Sequence, residues 1–553
     1  MNVVDKTLVV LALLLSAASM AGAQQDPLIP KGTANIRGQV TRSDTGQPIT
    51  NATVQIVPVG ISAMGTRVKV DAQGRFELKE IGAGSYVLNV TADGFVNLDA
   101  MPTRPAGAGK PITVKDGDQI ANANIVMAPA GIIEGRTLDE FGDPAPGVTV
   151  QLAQMIFTLG KTRLMPVAGN RSTGPTDDLG RFRFFSLSPG DYYVLVLSGP
   201  FGLSSASAFS TPVDTRLGFA PTYFPGTSNA AEAKPVHLDA GKQALDVIVP
   251  LVPARMATLS GTLADLAGRP VAQGGLMLLQ TQGGDVRAII PANTSVGSNG
   301  MFTYRNVPFG TYVIQGFTPA GFGALLVTVD REAMTDLVVT TRPLTTARGH
   351  LVFEGDAPKP SPNRVSVTIG PTDFVSGPVG GNRLPSHVND DWTFDVSQIP
   401  WMGVLVMNAP PPWLTKRVTV GGQEISPSAP YDFRQHDVDD IEVVLTSRVA
   451  SVTGTVSDQG GPAAGCLVIV FPDDTAPWFL PQGVMGQATS NADGTFKVAG
   501  LLAGSYRAVA LPASFRPDPS SFQTFLTSLR AEATPLILSE GETATISLKP
   551  IKR

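Results

Sequence analysis

The chain has 553 residues, with 41 Lys and Arg set against 46 Asp and Glu, a net charge of −5. That balance leaves no basic footprint and argues against nucleic acid or anionic membrane as main partners. Charged residues make up only 16% and apolar residues 43%, which excludes an intrinsically disordered chain, while 58 glycines and 46 prolines announce many turns.

The N-terminus opens with a short polar stretch carrying Lys6, then an apolar run over residues 8–18, then Ala21-Gly22-Ala23 before Gln24. These are the parts of a secretory signal peptide, residues 1–23, with cleavage expected after Ala23. Residues 8–20 are too few to span a bilayer, which takes about 20 apolar residues. No later run is longer, so no transmembrane segment is expected after cleavage. The expected address is secreted, periplasmic or cell envelope. Cys466 is the sole cysteine, so no internal disulfide can form and hydrophobic cores must hold the domains. Its setting, Gly-Cys-Leu-Val-Ile-Val-Phe, reads as a strand with a small buried hydrophobe.

One pattern recurs along the chain: an acidic or amide residue, glycine, one residue, phenylalanine, then glycine and tyrosine. The copies are Asp71, Gly74, Phe76 and Tyr86; Asp178, Gly180, Phe182 and Tyr192; Asn299, Gly300, Phe302 and Tyr312; and Asp493, Gly494, Phe496 and Tyr506. Phenylalanine to glycine is 8 residues and phenylalanine to tyrosine 10 in all four. A degraded copy, Asp391-Trp392-Thr-Phe394 with Gly403, lacks the first glycine and the tyrosine. Upstream of each copy, Gly38, Gly135, Gly261, Gly349 and Gly454 sit in short alternating stretches. Each copy ends in another alternating run, such as Ala544-Thr-Ile546-Ser-Leu548.

Period-2 alternation fits half-exposed antiparallel sheets, and turn signals every 8–12 residues favour sandwiches. The reading is all-β: a tandem array of about five antiparallel β-sandwiches after the signal peptide. The expected boundaries are 32–129, 130–253 with long loop insertions, 254–343, 344–447 (divergent) and 448–553 with a short helical insertion. In each unit, Asp or Asn with Gly makes a tight turn, and phenylalanine enters the core from the following strand. The tyrosine buries its ring and ties its hydroxyl to backbone, as at a tyrosine corner.

The order Gly-x-Val, Gly-x-Pro, Asp-x-x-Gly-x-Phe, Leu-x-Pro-Gly-x-Tyr resembles the carboxypeptidase regulatory-like domain. The match is closest at Ser188-Pro189-Gly190-Asp-Tyr192 and looser at Val307-Pro308-Phe-Gly310-Thr-Tyr312. The resemblance implies a transthyretin-like (prealbumin-like) sandwich, grouped with carbohydrate-binding-like folds. It implies no catalysis, which in metallocarboxypeptidases belongs to a separate domain.

A search for chemistry supports no enzyme. His237, His350, His387 and His436 lack zinc-ligand spacing, and no nucleophile elbow or phosphate-binding loop occurs. No cofactor, catalytic residue or metal site is assigned. Paired acids such as Asp177-Asp178 and Asp390-Asp391 read as turn caps, with calcium the rival reading. The binding candidates are aromatic: Trp392, Trp401, Trp413 and Trp478, all in the last two units, where flat rings could stack on sugars or anchor a protein. The competing reading has them filling the bases of long loops. Long insertions are expected at 155–175 and 199–225, the second carrying Tyr223 and Phe224 in an aromatic turn. Phe522, Phe525, Leu526 and Leu529 recur at helical intervals, a short amphipathic helix packed on the last sandwich.

The sequence thus points to an exported, non-enzymatic binding or scaffold protein, with carbohydrate as the first partner class and an envelope protein as the second. The alternatives are a structural or adhesive spacer, or accessory modules of an enzyme system.

Overall fold

A computed structural model describes residues 31–551 except 59–64, 97–111, 159–160, 168–170, 173, 199–216, 282–290, 374–376, 378–385, 428, 475–484 and 513–521. The segment expected as a signal peptide and Trp478 lie outside the described residues. Those residues form ten sheets of four or five strands, and the chain is a tandem array of β-sandwiches.

The first unit shows the recurring plan. Its opening strand, Lys31–Arg42, lies between Arg75–Ile81, antiparallel, and Ile125–Met127, parallel. The facing sheet runs Arg67–Lys69, Thr53–Pro58, Gly84–Thr91, Ile112–Val114. Alternating side chains from the two sheets meet inside: Ile36, Val40, Val54, Ile56, Phe76, Leu78, Tyr86 and Val90 are all buried. The fifth unit repeats the plan, with Ala450–Asp458 between Thr495–Leu501 and Thr543–Leu548.

The pairing register explains the spaced glycines. Gly38 faces Phe76, Gly135 faces Phe182, Gly261 faces Phe302, Gly349 faces Phe394 and Gly454 faces Phe496. In every unit the phenylalanine is at least 96% buried. A Cβ on Gly135 would fall on the Val247 carbonyl oxygen and lie 2.7 Å from the Phe182 ring, so the ring occupies the space that glycine leaves. The fourth unit keeps this pair although its turn is altered.

The turn before phenylalanine needs a left-handed residue. Gly74, Gly180, Gly300 and Gly494 have φ of 71°, 68°, 75° and 76° there. In the fourth unit Trp392 takes that position at φ 68°, an uncommon conformation for a bulky side chain. The carboxylates cap the turn in two ways. Asp71 Oδ1 accepts from the Gln73 and Arg75 N–H groups, and Asp177 Oδ1 from Leu179 and Arg181. The second-unit cap is therefore Asp177, which corrects the assignment to Asp178: the cap stands three residues before glycine, not two. The Arg181 N–H holds the Asp177 carboxyl below its usual range. Asp391 and Asp493 instead cap from two residues before the following threonine, accepting from the Thr393 and Thr495 N–H groups and hydroxyls.

The tyrosines close the next turn. Tyr86, Tyr192 and Tyr312 donate from Oη to the carbonyls of Gly82, Ser188 and Pro308, each four residues back, at 3.0, 2.7 and 2.8 Å. Burial pushes the Tyr506 hydroxyl up to about 12.

The segment expected as an insertion from 155 is largely a hairpin. Thr149–Thr158 pairs with Lys161–Pro166 and extends the second sheet of the second unit. Near the C-terminus, helix α1 (Phe522–Leu529) buries Leu526 and Leu529 against Ile469, Phe471, Val509 and Leu511.

The units are joined closely. Only residues 128–130 separate the last strand of the first unit from Gly131–Leu138, and only 251–252 separate Gln243–Pro250 from Pro253–Ala264. Leu217–Phe219, assigned by sequence to the second unit, pairs with Pro253–Ala264 and braces that connection. One apolar cluster crosses the same junction: Ala153, Leu164, Leu195, Leu197, Tyr223 and Ala230 pack with Ala257, Leu259, Leu276, Tyr304 and Tyr312. The strand Gly190–Leu197 is thus covered on both faces, Val194 and Val196 inward and Leu195 and Leu197 toward the third unit. Further on, the fully buried Gln315 donates to the Gly377 carbonyl at 2.8 Å. Lys416 then bridges Glu354 at 2.7 Å and Glu540 at 2.6 Å, joining the fourth and fifth units.

Within the shared cluster the Tyr304 hydroxyl is buried with no hydrogen-bond partner among the described residues. Removing an unsatisfied buried hydroxyl while keeping the ring relieves a desolvation cost of about 1–3 kcal/mol. Tyr304→Phe is expected to raise the midpoint of the transition that includes the third unit, measured by calorimetry; a lower midpoint would contradict this account of the site.

Candidate functional site

The fourth unit gathers two of the four tryptophans around Phe353. Its opening strand, Thr345–Glu354, ends at that ring, the turn before Thr393–Ile399 supplies Trp392, and the chain after Pro410-Pro411-Pro412 supplies Trp413. Trp392 and Trp413 meet Phe353 edge-on, with ring centroids 4.5 and 4.9 Å away. The Lys359 ammonium lies 5.1 Å from the Phe353 centroid and 5.8 Å from that of Trp392, within cation–π range. Trp413 Nε1 donates to the Pro358 carbonyl at 3.2 Å, which pins the segment bearing Lys359 over the cluster.

Burial decides what these rings can do. Trp413 is 2% exposed and Trp401 5%, and Trp401 Nε1 donates to the Ile369 carbonyl at 3.2 Å. Both are core residues of the fourth unit, which corrects the expectation that they form an open stacking platform. The physical reason is packing: Trp413 lies edge-on to Phe353 and is tied to the Pro358 carbonyl, while Trp401 packs on Gly403 and is tied to the Ile369 carbonyl. Trp392 alone of the described tryptophans is half-buried. Tyr223, 1% exposed, is likewise corrected, since it sits in the cluster shared by the second and third units. Burial raises its hydroxyl far above the usual range. The neighbouring Phe224 is half-buried and packs the opposite way, against the second-unit core. The aromatic turn is a packed flap.

A small apolar cleft lies away from the Phe353 cluster, toward the Thr345 end of the same strand, lined by Leu405, Val418, Val420, Ile425, Tyr431 and Phe433. It opens between the two sheets of the fourth unit and offers a ligand little beyond apolar contact. The histidines stay apart. His237 Nδ1 is 2.7 Å from Asp191 Oδ1, and His350 Nε2 is 3.5 Å from Glu442. Among the described residues no group of three His, Cys, Asp or Glu side chains could hold a metal ion. Cys466 is buried and unbridged. No described helix is long and apolar enough to cross a membrane.

Paired sheets, the glycine–phenylalanine register and the closed tyrosine turns define a tandem β-sandwich protein. Within it, residues 35–128 match the family model of the carboxypeptidase regulatory-like domain. No curated protein matches the chain. Among solved structures, the Bacillus anthracis TIE protein is similar at 12% identity, covering 81% of this chain and 79% of that one, with a TM-score of 0.15. The Streptococcal ancillary pilin is similar at 11% identity, covering 56% and 99%, TM-score 0.19. Two B repeat units of the collagen binding protein of Staphylococcus aureus are similar at 11% identity, covering 75% and 99%, TM-score 0.12.

Proposed function

We propose that the chain is an exported, non-catalytic spacer of the cell envelope or cell exterior, holding partners at fixed separations. One observation carries this reading: the second and third units are joined by two residues, a bracing strand and a common apolar cluster. Independent binding modules have no use for such a joint, since flexible linkers serve them better. A spacer needs it. The carbohydrate reading keeps one described support, the half-buried Trp392 under Lys359, with Trp478 outside the described residues.

The test is a distance distribution. Spin labels on Leu179→Cys and Leu266→Cys report across the joint, because both positions are exposed and the native Cys466 is 96% buried. A narrow distribution is expected from double electron–electron resonance on the mature chain. A broad one, as a flexible tether produces, would remove the spacer reading.

A further inference from the structure

The strand that closes each opening sheet leaves an outer edge, and the units treat that edge differently. In the second and third units the closing strands Gln243–Pro250 and Ala333–Thr340 carry bulges at Asp246 and Asp336, both at φ 61°. In the fourth, Val438–Thr446 has the same bulge at Asp440, φ 60°, and its outer edge is covered by Leu414–Val420. Bulges, charges and covering strands are how sheets avoid pairing with other chains.

The fifth unit has none of these. Thr543–Leu548 pairs with 451–456 without a register shift, and no residue in it is charged or has positive φ. Among the described residues nothing pairs with its outer edge. The direction of its free groups is fixed. The Glu542 carbonyl accepts from the Ser451 N–H at 2.8 Å, and the Ala544 carbonyl from Thr453 Oγ1 at 3.3 Å. Even-numbered residues therefore face the neighbouring strand, and alternation turns the N–H and C=O of Thr543, Thr545 and Ser547 to the open edge. The same three side chains are exposed; Thr543 and Thr545 are held by hydroxyl contacts to Ser451 and Thr453 at 2.9 and 3.2 Å.

We infer that this edge pairs with the same edge of a second copy, antiparallel about a two-fold axis at Thr545. That register places Thr545 opposite itself and Thr543 opposite Ser547, and it satisfies all three outward residues of each strand. No like charges meet at the axis. Antiparallel order also brings Lys549 of one copy opposite Gly541 of the other, between Glu540 and Glu542, so the strand ends are charge-complementary. The result is one sheet continuous across two copies, joined through their last units. An isologous contact of this kind closes at two and does not propagate. The inference concerns assembly and does not depend on what the array binds.

Cysteine crosslinking of the full mature chain tests the register. Hydrogen-bonded antiparallel partners sit about 5.5 Å apart at Cα, inside the disulfide range. Thr545→Cys is expected to form a covalent dimer on mild oxidation, and Thr543→Cys alone is not, whereas Thr543→Cys with Ser547→Cys is. Thr545→Pro removes an outward N–H at an edge where proline is tolerated. It is expected to weaken the dimer at least tenfold in analytical ultracentrifugation while the thermal midpoint stays unchanged. A wild-type chain that stays monomeric at every concentration, or crosslinking that is equal at 543 and 545, would overturn the inference.

Discussion

Phe76→Ala is expected to unfold the first unit and leave the others standing. The ring is 96% buried, faces Gly38 and, among the described residues, shares its core with residues between Ala34 and Met127. Truncating a buried phenylalanine costs about 3–5 kcal/mol, of the order of the whole stability of a small domain at roughly 5–15 kcal/mol. No smaller side chain can fill the gap, because the opposing glycine has none to offer and the Ala123 carbonyl already closes the other side. In calorimetry the component belonging to the first unit moves down by many degrees. Peptides from residues 31–127 lose protection in hydrogen exchange, and the remaining components keep their midpoints. Equal displacement of every component would show that the units are not energetically separate at this boundary.

Leu195→Asp is the opposite case, a substitution in one unit that is felt in two. Leu195 is 2% exposed, and its side chain lies on the face of Gly190–Leu197 that turns toward the third unit, not toward its own core. Losing the packing alone costs about 2–5 kcal/mol. A carboxylate there must reach water, and it can do so only by opening the joint. The second unit retains a separate inner cluster of Phe182, Phe184 and Val194, whereas Phe302 and Ile314 of the third belong to the cluster that Leu195 joins. The variant is therefore expected to keep the second sandwich folded, to lower the stability of the third and to lose their coupling.

Much of this was legible in the residues. The glycine–phenylalanine–tyrosine spacing marks opposing strands and their turns because the register that joins Gly454 to Phe496 recurs in every unit. The amphipathic spacing from Phe522 to Leu529 marks the helix for the same reason: one face is buried. What misled was local ambiguity. Asp177 and Asp178 are adjacent, and only the hydrogen bonds show which caps the turn. Trp392 reads as an exposed loop ring, yet it stands where the other units have glycine, so its backbone role was hidden by its size. Trp401 and Trp413 follow loop-like prolines and are nevertheless core, since proximity to proline says nothing of which way a ring turns. The shared core has a sign in the sequence too. Tyr192-Tyr193-Val194-Leu195-Val196-Leu197 is a continuous apolar run, not an alternating one, and a strand buried on both faces reads in that way. The edge at Thr543–Leu548 was legible only by contrast with its bulged counterparts, which requires the backbone angles.

The central claim is that the second and third units behave as one body while the first stands alone. Hydrogen exchange of the wild-type chain in rising denaturant tests it most directly. Peptides from the strands Gly190–Leu197 and Gly310–Thr318 are predicted to open at the same denaturant concentration, separately from Gly84–Thr91, and to separate from each other in Leu195→Asp. If the wild-type second and third units open at different concentrations, the joint is not rigid and the spacer account is wrong.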